Sequence, residues 1–172
     1  ACIDYKDNDL GDYNEIAINL FVRRKGESRG LPWIGAWLAM ARGTLPSFSW
    51  KMPVNQSFTQ EAGATIWGFP KTVERIDFDY SKEGLFRGYL EMDQEKVLEI
   101  EMPRGGTSER AASRMTGYSY IDGVPHVTSS TQTSSQMGAG GGKGVQVSLG
   151  KHPIADQLRA LGLPKKPLMT TW

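Results

Sequence analysis

Several stretches of this chain alternate apolar and polar residues with a period of two, and that pattern limits the fold more than any other feature. In residues 15–23, Ile16, Ile18, Leu20 and Val22 point one way, while Glu15, Ala17, Asn19, Phe21 and Arg23 point the other. Ile76, Phe78 and Tyr80 alternate with Asp77 and Asp79. Phe86, Gly88, Leu90 and Met92 share a face in the next stretch, and Leu98, Ile100 and Met102 share one in the stretch after it. Successive strand residues face opposite ways, so each stretch is expected to form a half-buried strand. Residues 81–84 and 93–96 join these strands, and Asp122 with Gly123 is a two-residue hairpin signal. Residues 24–30 are a polar turn, and 33–41 are expected as a second strand antiparallel to the first. The alternating acids Glu91, Glu99 and Glu101 fit a solvated face and lack the spacing of a metal site.

Two segments break the strand rhythm. Ser57 and Gln60 have the spacing of a capping box, with Val54 placed to staple the entry, so a short helix is expected over 58–66. Pro153 suits a first helical position; Ile154, Leu158 and Leu161 follow on one face, and Gly162 and Pro164 end the segment. About eight evenly spaced strands with two short helices indicate a mainly β (α+β) fold, a closed or nearly closed antiparallel barrel. The Ser- and Thr-rich stretch 124–137 could be a hydrogen-bonding wall, but its composition fits an exposed strand better, and its His126 fits a structural or exposed role. The glycines of 138–144 do not form a phosphate loop: Met137 and Gly144 stand where glycine and Ser or Thr are required. They are expected as a flexible hairpin loop, with Lys165 and Lys166 in a turn before a last strand.

Trp67-Gly68-Phe69-Pro70-Lys71 carries the chemistry. Proline fixes its own φ and holds the preceding residue extended, so the turn is stiff. An amine set among Trp67 and Phe69 loses the hydration that favours its charged form, and can then act as a nucleophile toward a carbonyl. Without such burial, Lys71 is an ordinary loop lysine after a proline turn. Glu15 stands opposite Ile16 and Ile18; its face lines a ligand-holding barrel or meets solvent in a plain one.

That string resembles the Gly-Phe-Pro-Lys signature of the acetoacetate decarboxylase family, and Leu10-Gly11-Asp12-Tyr13-Asn14-Glu15 resembles the family's Leu-Gly-x-Tyr-x-Glu segment. The resemblance implies a cone-like barrel around a ligand cavity and a Schiff base on Lys71. It makes Lys71 and Glu15 the catalytic residues and Trp67, Phe69 and Tyr13 the substrate-binding ones. Two departures stand out. Gly63-Ala64-Thr65 replaces the Gly-Arg-Glu that precedes the family signature, and Thr72 stands where the decarboxylases carry a second lysine. The second lysine is one proposed way of activating the first, with burial the other. The family pattern also implies an N-terminal segment, with a pocket arginine, and a C-terminal tail beyond these residues.

The 172 residues are expected as one domain. A net charge of +1 gives no electrostatic footprint for nucleic acid or anionic lipid, and the apolar stretch 31–41 is too short to span a bilayer. Cys2 is the only cysteine, which precludes an intrachain disulfide and suits a reducing, cytoplasmic setting. Two histidines and one cysteine argue against a histidine- or cysteine-rich metal site, and no cofactor is expected. The expected function is a Schiff-base-forming lyase acting on a small keto acid by decarboxylation or aldol-type chemistry, in a homo-oligomer. The alternatives are a non-catalytic barrel that binds a small apolar or carboxylate ligand, or a decayed pocket in an assembly protein.

Overall fold

The computed structural model describes residues 1–26, 32–41, 44–140, 142–164 and 166–171. Its elements are β1 (Cys2–Tyr5), β2 (Tyr13–Ile16), β3 (Ile18–Phe21), α1 (Pro32–Ala41), β4 (Ser47–Val54), α2 (Ser57–Trp67), β5 (Lys71–Val73) and β6 (Arg75–Asp79). They continue as β7 (Leu85–Met92), β8 (Glu95–Pro103), β9 (Ser108–Ile121), β10 (Val124–Met137), β11 (Ala139–Gly140), β12 (Gln146–Leu149), α3 (Pro153–Ala160) and β13 (Thr170–Thr171). The expected turn over 24–30 lies, from residue 27 on, outside the described residues, as do Gly141 of the glycine run and Lys165.

The architecture is mainly β. One sheet runs β1-β2-β4-β9-β10, with β3 and β5 also paired to β4, and it curls strongly into half of a barrel. A second sheet runs β12-β8-β7-β6. Pairing is antiparallel except that β4 runs parallel to both β5 and β9. The core contains Ile16 of β2, Ile76, Leu90, Val97 and Leu98 of the second sheet, and Ile154 and Leu158 of α3. Fully burying one such side chain is worth roughly 1.5–3 kcal/mol. Because strand faces alternate, β2 can send Ile16 to this core and Glu15 to the opposite side.

The tight turns follow the sequence. Asp122 and Gly123 have φ values of 51° and 77°, and Asp93 and Gln94 have 52° and 62°. Such left-handed pairs match the twist of the strands they join. The polar strand β10 is exposed along almost its whole length, His126 included.

Three expectations are corrected. Residues 33–41 belong to helix α1, so the described helices number three, and the antiparallel partner of β3 is β4. The stretch is apolar without alternation, so periodicity could not choose between helix and strand. Pro32 at its start and the alanines, Leu38 and Met40 within it favour helix. The N-cap of α2 is Gln56 instead of Ser57: its side-chain oxygen accepts from the Thr59 N–H at 3.0 Å. In α3, Ile154 and Leu158 are buried, but Leu161 falls at the C-cap and is exposed. The glycine run also supplies β11, which pairs with β13. No helix among the described residues is long and apolar enough to cross a membrane.

Candidate active site

Helix α2 ends at Trp67, and Gly68 caps it with a left-handed φ of 64°. The Gly68 N–H donates to the Ala64 carbonyl and the Phe69 N–H to the Gly63 carbonyl, each at 3.1 Å. A side chain at position 68 is excluded twice, by this φ and by the Tyr120 carbonyl and Ile121 side chain of β9. Ser119 of β9 donates its hydroxyl to the Trp67 carbonyl at 2.6 Å, fastening the helix end to the sheet. The Lys71 N–H then donates to the Phe69 carbonyl at 2.8 Å, closing a three-residue turn centred on Pro70. Lys71 thereby opens β5 in register with Met52 of β4.

The glutamate arrives from the other side of β4. Gln56 donates from its amide to the Leu10 carbonyl at 2.9 Å while capping α2, so one side chain joins the two motifs. The Asn14 N–H donates to Oδ1 of Asn55 at 2.8 Å, and the Asn55 N–H donates to the Asn14 carbonyl at 3.2 Å. Glu15 then pairs in register with Val54 at the end of β4.

The two functional groups meet beneath α2. Nζ of Lys71 lies 2.8 Å from Oε2 of Glu15, and the side chains are 6% and 4% exposed. Breaking such a pair costs far more inside a protein than on its surface, because removing either partner strands a charge away from water. The Tyr13 ring lies 5.1 Å from Nζ, and Tyr5 stacks on Tyr13 with centroids 4.3 Å apart. Burial, with help from Tyr5 and the Glu15 carboxylate, raises the Tyr13 phenol well above the ordinary range. Burial, then Glu15, also raises the Tyr5 phenol. Gly63 of α2 makes room for the lysine stem: a Cβ there would lie 2.5 Å from Cδ and 2.8 Å from Cε of Lys71.

The structure therefore brings together Lys71, Glu15 and Tyr13. Trp67 and Phe69 stack on each other with centroids 6.2 Å apart, Trp67 remains 37% exposed, and the ring over the amine is that of Tyr13. Tyr5, Gln56 and Ser119 also support the site without having stood out in the sequence, and Gly63 stands out there only as the start of the segment in the place of Gly-Arg-Glu. Tyr5 and Tyr13 meet through the β1–β2 register, which no motif announces. Thr72 is exposed and, one residue on in β5, faces away from Lys71. No group of three or more potential metal ligands forms among the described residues.

A family model described as acetoacetate decarboxylase matches residues 1–172. No curated protein matches the chain. Among solved structures, an acetoacetate decarboxylase from Legionella pneumophila is 18% identical with a TM-score of 0.55, over 94% of this chain and 62% of that one. The enduracididine biosynthesis enzyme MppR complexed with pyruvate is 16% identical with a TM-score of 0.58, over 94% of this chain and 61% of that one. A further acetoacetate decarboxylase structure is 15% identical with a TM-score of 0.52, over 85% of this chain and 58% of that one. The chain thus spans about three fifths of the length of these structures, and at such identities the likeness is one of fold. The family model, unlike these distant neighbours, runs the whole length of the sequence: the chain belongs to the acetoacetate decarboxylase family.

Proposed function

We propose that this chain forms a Schiff base between Lys71 and a small keto acid, and that Glu15 moves the protons. The observation that carries the reading is the buried pair, with Nζ and Oε2 2.8 Å apart. Proton transfer from the ammonium to Glu15 gives a neutral amine beside a carboxylic acid. The amine attacks the ketone carbon, and the nitrogen proton passes to the former carbonyl oxygen. Glu15 returns its proton to that hydroxyl, which leaves as water, and the C=N⁺ bond forms. The iminium then accepts an electron pair from a neighbouring bond. If that bond leads to a carboxylate, carbon dioxide departs. If it is a C–H bond, Glu15 takes the proton. Either route gives an enamine, which is protonated on carbon or adds to a second carbonyl before water releases the lysine.

A keto acid as substrate is supported by the family and by pyruvate bound to the structurally similar MppR. Thr72 does not weaken the imine step, because in this backbone a lysine there would point away from Nζ. We place the chain in a cytoplasmic homo-oligomer; exposed apolar side chains such as Phe21, Ile34 and Leu38 support the assembly. The closed ion pair also favours a second reading, in which Lys71 is a permanent ammonium and the barrel only binds a small apolar or carboxylate ligand.

Exchange of pyruvate methyl protons for deuterium, followed by proton NMR, separates the two. Imine formation acidifies those protons whichever bond later breaks. Exchange by the wild type that disappears in Lys71→Met supports the enzyme. Exchange that is absent from the wild type, or that survives in the variant, contradicts it.

A further inference from the structure

A cavity of about 700 Å³ lies at the far end of β4 from Lys71. Its walls come from the segment after β3, from β4, and from the β9–β10 hairpin, and neither Lys71 nor Glu15 lines it. Phe48 and Met52 bracket the separation: Phe48 lines the cavity, Met52 pairs with Lys71, and four strand residues span roughly 13 Å.

The lining divides by chemistry. Phe48, Tyr118 and Tyr120 supply aromatic surface, with Phe48 and Tyr120 edge to face at 6.3 Å. Arg23, Arg24, Lys25 and His126 supply the polar groups. The Arg24 guanidinium lies 5.2 Å from the Tyr118 ring centroid, which holds it over the aromatic wall. The Arg23 guanidinium lies against Gly35 of α1, where a Cβ would come within 3.1 Å of Nη2. Among the described residues, none of Arg23, Arg24 and Lys25 has a carboxylate partner, and no acidic side chain lines the cavity. Ser119 also lines it, but its hydroxyl is already committed to the Trp67 carbonyl.

We propose that this cavity is a second binding site, selective for a planar aromatic carboxylate. Cavities of roughly 300–1,000 Å³ lined by apolar surface and a few directed polar groups are the usual form of small-molecule sites. Rings of the ligand stack among Phe48, Tyr118 and Tyr120. Its carboxylate meets Arg24, whose planar fork offers two parallel N–H donors, with Arg23 and Lys25 adding charge. A neutral ligand of the same shape offers these cations no counter-charge, so discrimination rests on the anion.

The test is calorimetric titration with 1-naphthoate and with 1-naphthalenemethanol, the same ring system without charge. Neither carries a ketone, so neither can form an imine, and the outcome is independent of the chemistry proposed for Lys71. The wild type is expected to bind one naphthoate per chain at least tenfold more tightly than the alcohol, with the difference shrinking at high salt. Arg24→Ala is expected to bring the two ligands within about twofold of each other, with Arg24→Lys intermediate. Glu15→Gln combined with Lys71→Met is expected to leave naphthoate binding within about twofold of the wild type. Amide shifts in NMR spectra of the wild type, which need no variant, are expected to cluster at Val22, Arg24, Tyr118 and His126. The proposal is overturned if naphthoate does not saturate, if the alcohol binds equally well, or if the double variant abolishes binding while Arg24→Ala does not. Shifts clustering around Tyr13 and Lys71 also overturn it.

Discussion

Lys71 and Glu15 come from segments 56 residues apart in the sequence, yet their charged ends lie 2.8 Å apart with both side chains almost sealed from water. Strand β4 makes this meeting possible, because it pairs with β2 on one edge and with β5 on the other. Burial of this kind makes the two residues a single energetic unit. Lys71→Met or Glu15→Gln alone is expected to cost about 3–5 kcal/mol, because each leaves or distorts an unmatched buried group. The double variant is expected to cost less than the sum of the singles by more than about 1 kcal/mol. Urea unfolding of the four proteins measures this coupling; strict additivity would show that the pair is not formed.

Gly63→Ala sets two effects against each other. Alanine is better than glycine inside a helix by about 1 kcal/mol. Its methyl, however, would sit 2.5 Å from Cδ of a lysine that is packed too tightly to swing aside. The collision is with the middle of the stem, so the net effect is expected to be destabilising. Deuterium exchange into pyruvate is expected to fall at least tenfold, corresponding to about 1.4 kcal/mol. Unchanged exchange together with raised stability would mean that the lysine takes another path past α2.

Gln56 is expected to matter more than an ordinary cap. Gln56→Ala removes the acceptor for the Thr59 N–H and the donor to the Leu10 carbonyl together. Loss of the cap alone costs about 1 kcal/mol. Hydrogen exchange should show faster opening at both the Leu10 segment and the first turn of α2. Faster exchange in α2 alone would deny the bridge.

Alkaline pH tests the tyrosine cluster. Burial raises the phenols of Tyr13, Tyr5 and Tyr80, assisted at Tyr13 by Tyr5 and Glu15, at Tyr5 by Glu15, and at Tyr80 by its 2.9 Å hydrogen bond to Asp4. An unfolded tyrosine ionises near pH 10. Below that pH the full stabilisation is present. As pH rises toward the folded values, the unfolded chain loses protons that the folded chain keeps, so stability falls. Absorbance at 295 nm should show late-ionising tyrosines, and the urea midpoint should drop above about pH 10. Six tyrosines titrating together near pH 10 would contradict this arrangement.

The strands were legible wherever alternation was clean, as at Phe86, Gly88 and Leu90, and the hairpin at Asp122 and Gly123 was legible from its turn chemistry. Lys71 and Glu15 were legible through their motifs, since local backbone demands fix Gly68 and Pro70. Helix α1 was not, because an apolar run without a period carries no directional information. The sequence points to Trp67 and Phe69 as the rings around Lys71, whereas Tyr13 supplies the ring over the amine, for a different reason. Neighbours in sequence were visible, whereas Tyr13 reaches the amine only through pairing of β2 and β5 on opposite edges of β4.

The most direct measurement is borohydride reduction in the presence of β-keto and α-keto acids, followed by peptide mass mapping. A stable adduct confined to Lys71, and absent when borohydride is added without a keto acid, is the predicted result. No adduct with any of these acids, or labelling spread over exposed lysines with Lys71 unmodified, would contradict the account.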